Sequence, residues 1–282
     1  MKQFFRFVEV SRMSHTLRSG TGDREMTDSK PPRLGGVQSV DRVLDLLEVM
    51  ASAGGSMGLT QLAERTELPL PTVHRLTRTL VSRGYMRQLP AREYALGPKL
   101  IRLGDSATKL IGAWAGPHLS ELVASTGETA NMAVLDGMMA AYVAQVPSPH
   151  SMRMFTEVGR QVHLHCTGVG KALLLQLPDD AVRTLLARAG MPSYTPNSHT
   201  HADSLLADLA ESRARGFAID EGEQEVGVRC FAVPIHGAPA PTALSISGPA
   251  ARLTIESADL HAPLLKRIAK ELSTEFGKDA NI

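Results

Sequence analysis

From Ser39 to Arg83 the apolar residues recur at three- and four-residue spacing in three short runs, each closed by glycine or proline. Such spacing puts them on one face of a helix. Val40, Val43, Leu44, Leu47 and Met50 form the first stripe, with Ser39 as the capping candidate and Gly54-Gly55 as the stop. The second helix is expected from Thr60, read as its N-cap, to about Thr66, with Leu62 and Ala63 turned inward. Leu68-Pro69-Leu70 separates it from a third, expected from Pro71 to Arg83, whose buried stripe is Val73, Leu76 and Leu80 and whose stop is Gly84. The pattern then changes to two strand-like runs, Tyr85 to Gln88 and Glu93 to Leu96, around the tip Leu89-Pro90-Ala91-Arg92.

Three helices, a tight turn before the third and a trailing hairpin are the parts of a winged helix-turn-helix, expected here over 37–97. The third helix of such a unit enters the major groove, where each base pair presents a distinct pattern of donors and acceptors. Between Pro71 and Arg92 stand five arginines and no Asp or Glu, in a chain whose net charge is only +1. Positive charge is therefore local, where neutralising phosphates releases counterions and supplies affinity for duplex. Thr72, His74, Arg75, Arg78 and Thr79 project opposite the buried stripe, Arg87 and Arg92 sit on the wing, and Thr60 heads the second helix. These are the predicted contacts to operator double-stranded DNA.

Leu100, Leu103, Ala107, Leu110, Ile111 and Trp114 continue at helical spacing until Gly116-Pro117, which predicts a linker helix over 98–116. Beyond it strands and helices mix. The turn pair Asp136-Gly137 joins strands Ala130 to Leu135 and Met139 to Val146. A strand-like Val162 to His165 precedes a helix around Ala172. Helices at 179–189 and 203–215 lead to strands 217–220, 230–235 and 242–247, and a last helix covers 254–276. That order is an α+β domain with helices packed on a sheet, expected over 117–277. Residues 1–36 lack periodicity and read as a disordered tail, with Met13 and Met26 as alternative starts, and 278–282 as a short C-terminal tail.

The run LTQLAERTELPLPTVHRLTRTLVSRGYM, followed by YALGPKLIRLG, resembles the DNA-binding domain of the IclR family of transcriptional regulators. HLHCTGVGKALL, GFAIDEGEQEVGVRCFAVPI and ALSISGPAARL resemble that family's effector domain, so the likeness runs from about residue 37 to 277. Two departures stand out. Leu70-Pro71 occupies the start of the recognition helix, where small polar residues are usual, and the wing tip lacks the usual glycine.

The resemblance implies a GAF-like sensor domain whose pocket binds a small organic, carboxylate-bearing effector that alters DNA affinity. Thr167, Gly168 and Val169 open a helix whose free N–H groups favour an anion. Ser245 and Ser247 alternate onto one strand face. Asp220 and Cys230 occupy family pocket positions, and Met132, Met152, Met154 and Phe155 are candidates for the apolar wall. Gly168-x-Gly-Lys171 is no phosphate-binding P-loop, because position 165 is His and position 172 is Ala.

Two other classes stay open at this point. His163, His165 and Cys166, with Cys230 or His199 and His201, suggest a metal- or thiol-responsive regulator, although a closed zinc site needs about four ligands. Asp220, Glu221, Glu223, Cys230 and Lys171 would suit an enzyme acting on a small metabolite, yet no nucleophile-and-base spacing supports catalysis. No cofactor and no metal is expected. Two cysteines fit a reducing cytoplasm, and no apolar run is long enough to span a bilayer, so no membrane partner is expected. A helix-turn-helix reads a two-fold site as a dimer, so a homodimer or dimer of dimers is expected, with Leu103, Leu110 and Trp114 as its interface.

Overall fold

The computed structural model describes residues 36–279, so the expected N-terminal tail lies almost wholly outside the described residues, as do 280–282. The described chain divides into two compact units, 36–107 and 108–279.

In the first unit α1 (Gln38–Ser52), α2 (Leu59–Thr66) and α3 (Leu70–Ser82) pack with a small antiparallel sheet of β1 (Ser56–Gly58), β2 (Met86–Gln88) and β3 (Glu93–Leu96), ordered β1-β3-β2. Leu46, Met50, Met57, Leu62, Val73, Leu80 and Met86 form its core. The inward face of α1 is thus rotated from the expected stripe: Val43 and Leu47 pack at its margin, while Val40 and Leu44 are 53% and 48% exposed. Strand β1 was absent from the sequence reading because three residues, with one buried, carry no periodic signal. Two caps are also corrected. Helix α1 begins at Gln38, so Ser39 lies inside it. Gly58 is the N-cap of α2, its N–H donating to Gln61 Oε1 at 3.2 Å, so Thr60 lies in the first turn.

Helix α4 (Lys99–Thr126) does not stop at Gly116-Pro117. Proline there removes the hydrogen bond to the Ala113 carbonyl, at a cost of roughly 3 kcal/mol. Ala115, Leu119 and Leu122 are wholly buried around it. Burying each leucine contributes about 1.5–3 kcal/mol, which is enough to carry the helix through.

In the second unit a six-stranded antiparallel sheet has the order β6-β5-β4-β9-β8-β7. The strands are β4 (Thr129–Asp136), β5 (Met139–Val146), β6 (Gln161–Val162), β7 (Ala218–Glu221), β8 (Val228–Ile235) and β9 (Thr242–Pro249). One sheet face packs against α4 and α8 (Ala258–Asp279), through Leu119, Leu122, Leu265, Ile268 and Leu272. The other carries α5 (Gly168–Leu174), α6 (Asp179–Ala189) and α7 (Ala202–Arg215). Alternation along β9 sends Leu244 and Ile246 to the first face and Ala243 to the second, with Ser245 and Ser247 in phase with Ala243.

Candidate nucleic-acid interface and ligand cavity

Helix α3 buries Val73, Thr77 and Leu80 and leaves His74, Arg75, Arg78 and Thr79 exposed, with Thr72 at the margin. Pro71 is in its first turn, where a missing N–H costs nothing. Arg87 and Arg92 are exposed on the wing and Thr60 on α2. All five arginines from Arg75 to Arg92 are exposed, and among the described residues none makes a salt bridge with a carboxylate. Arg92, at the wing tip where glycine was missed, has φ 62°, the left-handed region that favours glycine.

The second site lies beneath α5, where the sheet presents only small side chains. Ala133, Ala232, Ala243, Ser245 and Ser247 let the helix approach closely. A Cβ on Gly168 would stand 2.5 Å from Cys230 Sγ, and one on Gly170 would stand 2.5 Å from the Leu164 backbone. The glycines therefore serve first to seat α5 on the sheet. What remains is a cavity of about 110 Å3, whose wall includes Thr167, Gly168, Asp220, Cys230 and Ser247. Tyr142, Met154, Thr156, Arg160 and Gln224 complete much of it.

Several predicted pocket residues are placed differently. Met132 packs with Leu119 and Leu265 in the core on the opposite sheet face, and its neighbour Asn131 takes the cavity-side parity. Met152 and Phe155 are 72% and 65% exposed and form no wall, whereas Met154 does line the cavity. Ser245 and Val169 are buried beside the cavity without lining it. Thr167 caps α5 by accepting from the Gly170 N–H at 3.1 Å, so one of the N–H groups expected to meet an anion is already used.

The residues that sequence reasoning missed are Asn131, Tyr142, Thr156 and Arg160. Thr156 Oγ1 donates to Asn131 Oδ1 at 2.8 Å, and Gln145 Nε2 donates to the same oxygen at 3.3 Å. That leaves Asn131 Nδ2 buried without a hydrogen-bond partner among the described residues. A polar residue inside the apolar run of β4 was the available signal, because buried amides need partners.

Electrostatically the cavity is unusual. Burial, and then the Glu223 carboxylate, push the Asp220 carboxyl up to about 7. Its Oδ1 accepts the Glu223 N–H at 2.8 Å. Burial pushes both thiols, Cys166 and Cys230, up to about 12, so they stay protonated at neutral pH and are poor nucleophiles. Ser247 Oγ donates to Cys230 Sγ at 3.1 Å. Strand β6 ends at Val162, so His163 and His165 sit in a turn rather than on a strand face, with ring centroids 5.4 Å apart. Among the described residues no group of three His, Cys, Asp or Glu side chains is placed to hold a metal ion.

Trp114 is tied to its own unit: its ring lies 4.6 Å from Phe276 and its Nε1–H donates to Glu275 at 2.8 Å. It is half-buried there. Leu103 is 46% exposed, and the Leu110 side chain lies outside the described residues.

Comparison with known proteins matches both units. The IclR helix-turn-helix domain matches residues 39–90, and the bacterial transcriptional regulator IclR C-terminal domain matches 107–274. The transcriptional repressor IclR of Escherichia coli K12 is 37% identical over 254 residues, 87% of this chain and 92% of that protein. The acetate operon repressor of Salmonella typhimurium LT2 is 36% identical, covering 90% and 95% of the two chains. A solved IclR regulator from Silicibacter sp. TM1040 aligns with TM-score 0.74 at 29% identity, over 85% of this chain and 96% of that one. With both domain models in order and so long a relative, the chain belongs to the IclR family of DNA-binding transcriptional regulators, not to an enzyme family.

Proposed function

We propose that this protein is a cytoplasmic repressor that occupies an operator through α3 and the wing, and that a small carboxylic acid in the cavity beneath α5 changes its grip on DNA. The observation that carries the reading is a pairing of features in one chain. An acid-free arginine face is exposed in one unit, and in the other lies a polar cavity whose wall holds a buried carboxyl pushed up to about 7. Arg75 and Arg78 contact base edges and phosphates, with His74, Thr72 and Thr79 beside them. Arg87 and Arg92 reach the backbone or minor groove, and Thr60 touches phosphate. In the cavity a protonated Asp220, the Ser247 hydroxyl and the Gly168 N–H meet the acid, with Cys230 as a soft contact and Thr167, Val169 and Ser245 shaping the wall. The related repressors of Escherichia coli and Salmonella typhimurium favour repression over activation.

Val37, Val40, Leu44, Ile101 and Leu103 are all exposed on the DNA-binding unit, and a homodimer, alone or paired into a dimer of dimers, would cover them. Light scattering at micromolar concentration tests that assembly, and a monomer mass rejects it.

The deciding experiment is footprinting on the intergenic DNA beside the gene, with and without a panel of organic acids. Arg75→Ala and Arg78→Ala should each weaken operator binding by about 1–3 kcal/mol with unfolding unchanged. Retained affinity in both variants would reject α3 as the reading helix.

A further inference from the structure

We propose that Arg160 sets the specificity of the cavity beneath α5 and commits it to a short dicarboxylate, whose second carboxylate it holds. The inference rests on the acid-sensing reading above and narrows it.

Among the described residues Arg160 is the one Lys or Arg in the cavity wall. Lys171, though close by, is not in that wall and is neutralised by Glu223 at 2.6 Å and Asp208 at 3.0 Å. Arg160 itself makes no ion pair among the described residues. Its position is fixed through the backbone. The Tyr142 N–H donates to the Arg160 carbonyl at 3.0 Å, and the Arg160 N–H donates to the Glu157 carbonyl at 3.1 Å. Arg160 thus lines the cavity at the β5–β6 edge of the sheet, exposed at the rim and close enough for its charge to act on the Tyr142 phenol. A guanidinium held at a rim with no ion-pair partner among the described residues is a ready bidentate partner for a carboxylate.

The other receptive groups lie across the sheet. Ser247 is on β9 and Cys230 on β8, with Thr167 and Gly168 above them. Arg160 pairs with β5 from the β6 side, so three strand intervals, about 14 Å at the usual spacing, separate its backbone from β9. The long arginine side chain crosses part of that distance. An acid with a single carboxylate satisfies one end and leaves the other wet. A short diacid, with a hydrogen bond at each end, bridges what remains between them. The volume agrees: at about 10–15 Å3 for each water-sized group, the cavity admits roughly seven to eleven non-hydrogen atoms. Glu225 also stands in the wall; both it and Arg160 are exposed, so solvent screens its repulsion and the long-range attraction of Arg160 alike, and what Arg160 contributes is the bidentate hydrogen-bond geometry.

The test is calorimetric titration of the full-length protein with glutarate, monomethyl glutarate and L-glutamate. The monoester keeps the shape of the diacid and removes one charge. Glutarate should bind about tenfold or more tightly than its monoester. Arg160→Ala should bring that ratio to about one, and Arg160→Lys should keep part of it. A ratio near one in the unaltered protein, or one that survives Arg160→Ala, overturns the proposal. So does tighter binding of L-glutamate than of glutarate, which would give the wall's carboxylates an ammonium to hold. If the monoester binds and the ratio is one, only this inference falls. If no acid binds, the acid-sensing reading falls with it.

Discussion

Lys171 Nζ lies 2.6 Å from Glu223 Oε1 and 3.0 Å from Asp208 Oδ2, so one buried ammonium ties α5 to the β7–β8 loop and to α7. Burial alone would depress that ammonium; the two carboxylates outweigh it and hold the charge in place. Removing one member of a buried pair costs more than the pair contributes, because a carboxylate is left unpaired. Lys171→Met should therefore lower the unfolding free energy by about 3–5 kcal/mol in urea titrations. Adding Glu223→Gln should restore part of the loss. A single variant within about 1 kcal/mol of the parent would mean that solvent reaches the pair.

Asp220 gives the cavity a pH dependence whose sign follows from its raised value of about 7. The fold favours the neutral carboxyl, so its stabilising contribution is complete below the ordinary carboxyl range and is lost as pH rises through 7. A neutral Asp220 donates a hydrogen bond to a bound carboxylate, whereas an ionised one repels it. His163 and His165 are held below their ordinary values by burial, and so contribute little above pH 6.5. Acid binding should weaken about tenfold between pH 6 and pH 8, following the loss of the protonated form. Asp220→Asn should bind with little pH dependence and be relatively more stable at pH 8. A flat profile in the unaltered protein would remove Asp220 from the site.

Arg92 holds a left-handed φ of 62° at the wing tip, a conformation that costs a non-glycine residue roughly 1–2 kcal/mol. On the proposed reading, that strain is the cost of holding an exposed cation at the wing tip. Arg92→Gly should raise thermal stability slightly while weakening binding to any duplex, and it should reduce the slope of log affinity against log salt by about one. An unchanged slope would show that the wing tip touches no phosphate.

The exposed arginine face of α3 was legible because helical periodicity separates Val73 and Leu80 from Arg75 and Arg78 without tertiary information. The cavity was legible only in part. Thr167, Gly168, Asp220, Cys230 and Ser247 do converge, but strand parity decides side, and a shift of one residue exchanges Met132 for Asn131. The register shift between Met132 and Ala133 is invisible in composition. Tyr142 and Arg160 reach the cavity through a pairing of β5 with the segment before β6, which local pattern does not encode. Pro117 misled for a related reason, since burial of Leu119 and Leu122 overrides a local helix breaker.

Gly168 and Cys230 test how the cavity is kept open. Both line it, and a Cβ on Gly168 would meet Cys230 Sγ at 2.5 Å, Cys230 Cβ at 3.0 Å and Ala232 Cβ at 3.5 Å. Strand β8 is a central strand and has no room to retreat, so the added methyl must lift α5. Gly168→Ala should destabilise the protein by about 1–3 kcal/mol and abolish acid binding. Cys230→Ala removes the closest of the three contacts, so the double variant should be more stable than the sum of the two single losses predicts. A coupling of about 1 kcal/mol or more in that double-mutant cycle is the expected result. Simple additivity would show that α5 is seated by some other contact, and that the width of the cavity does not depend on this pair.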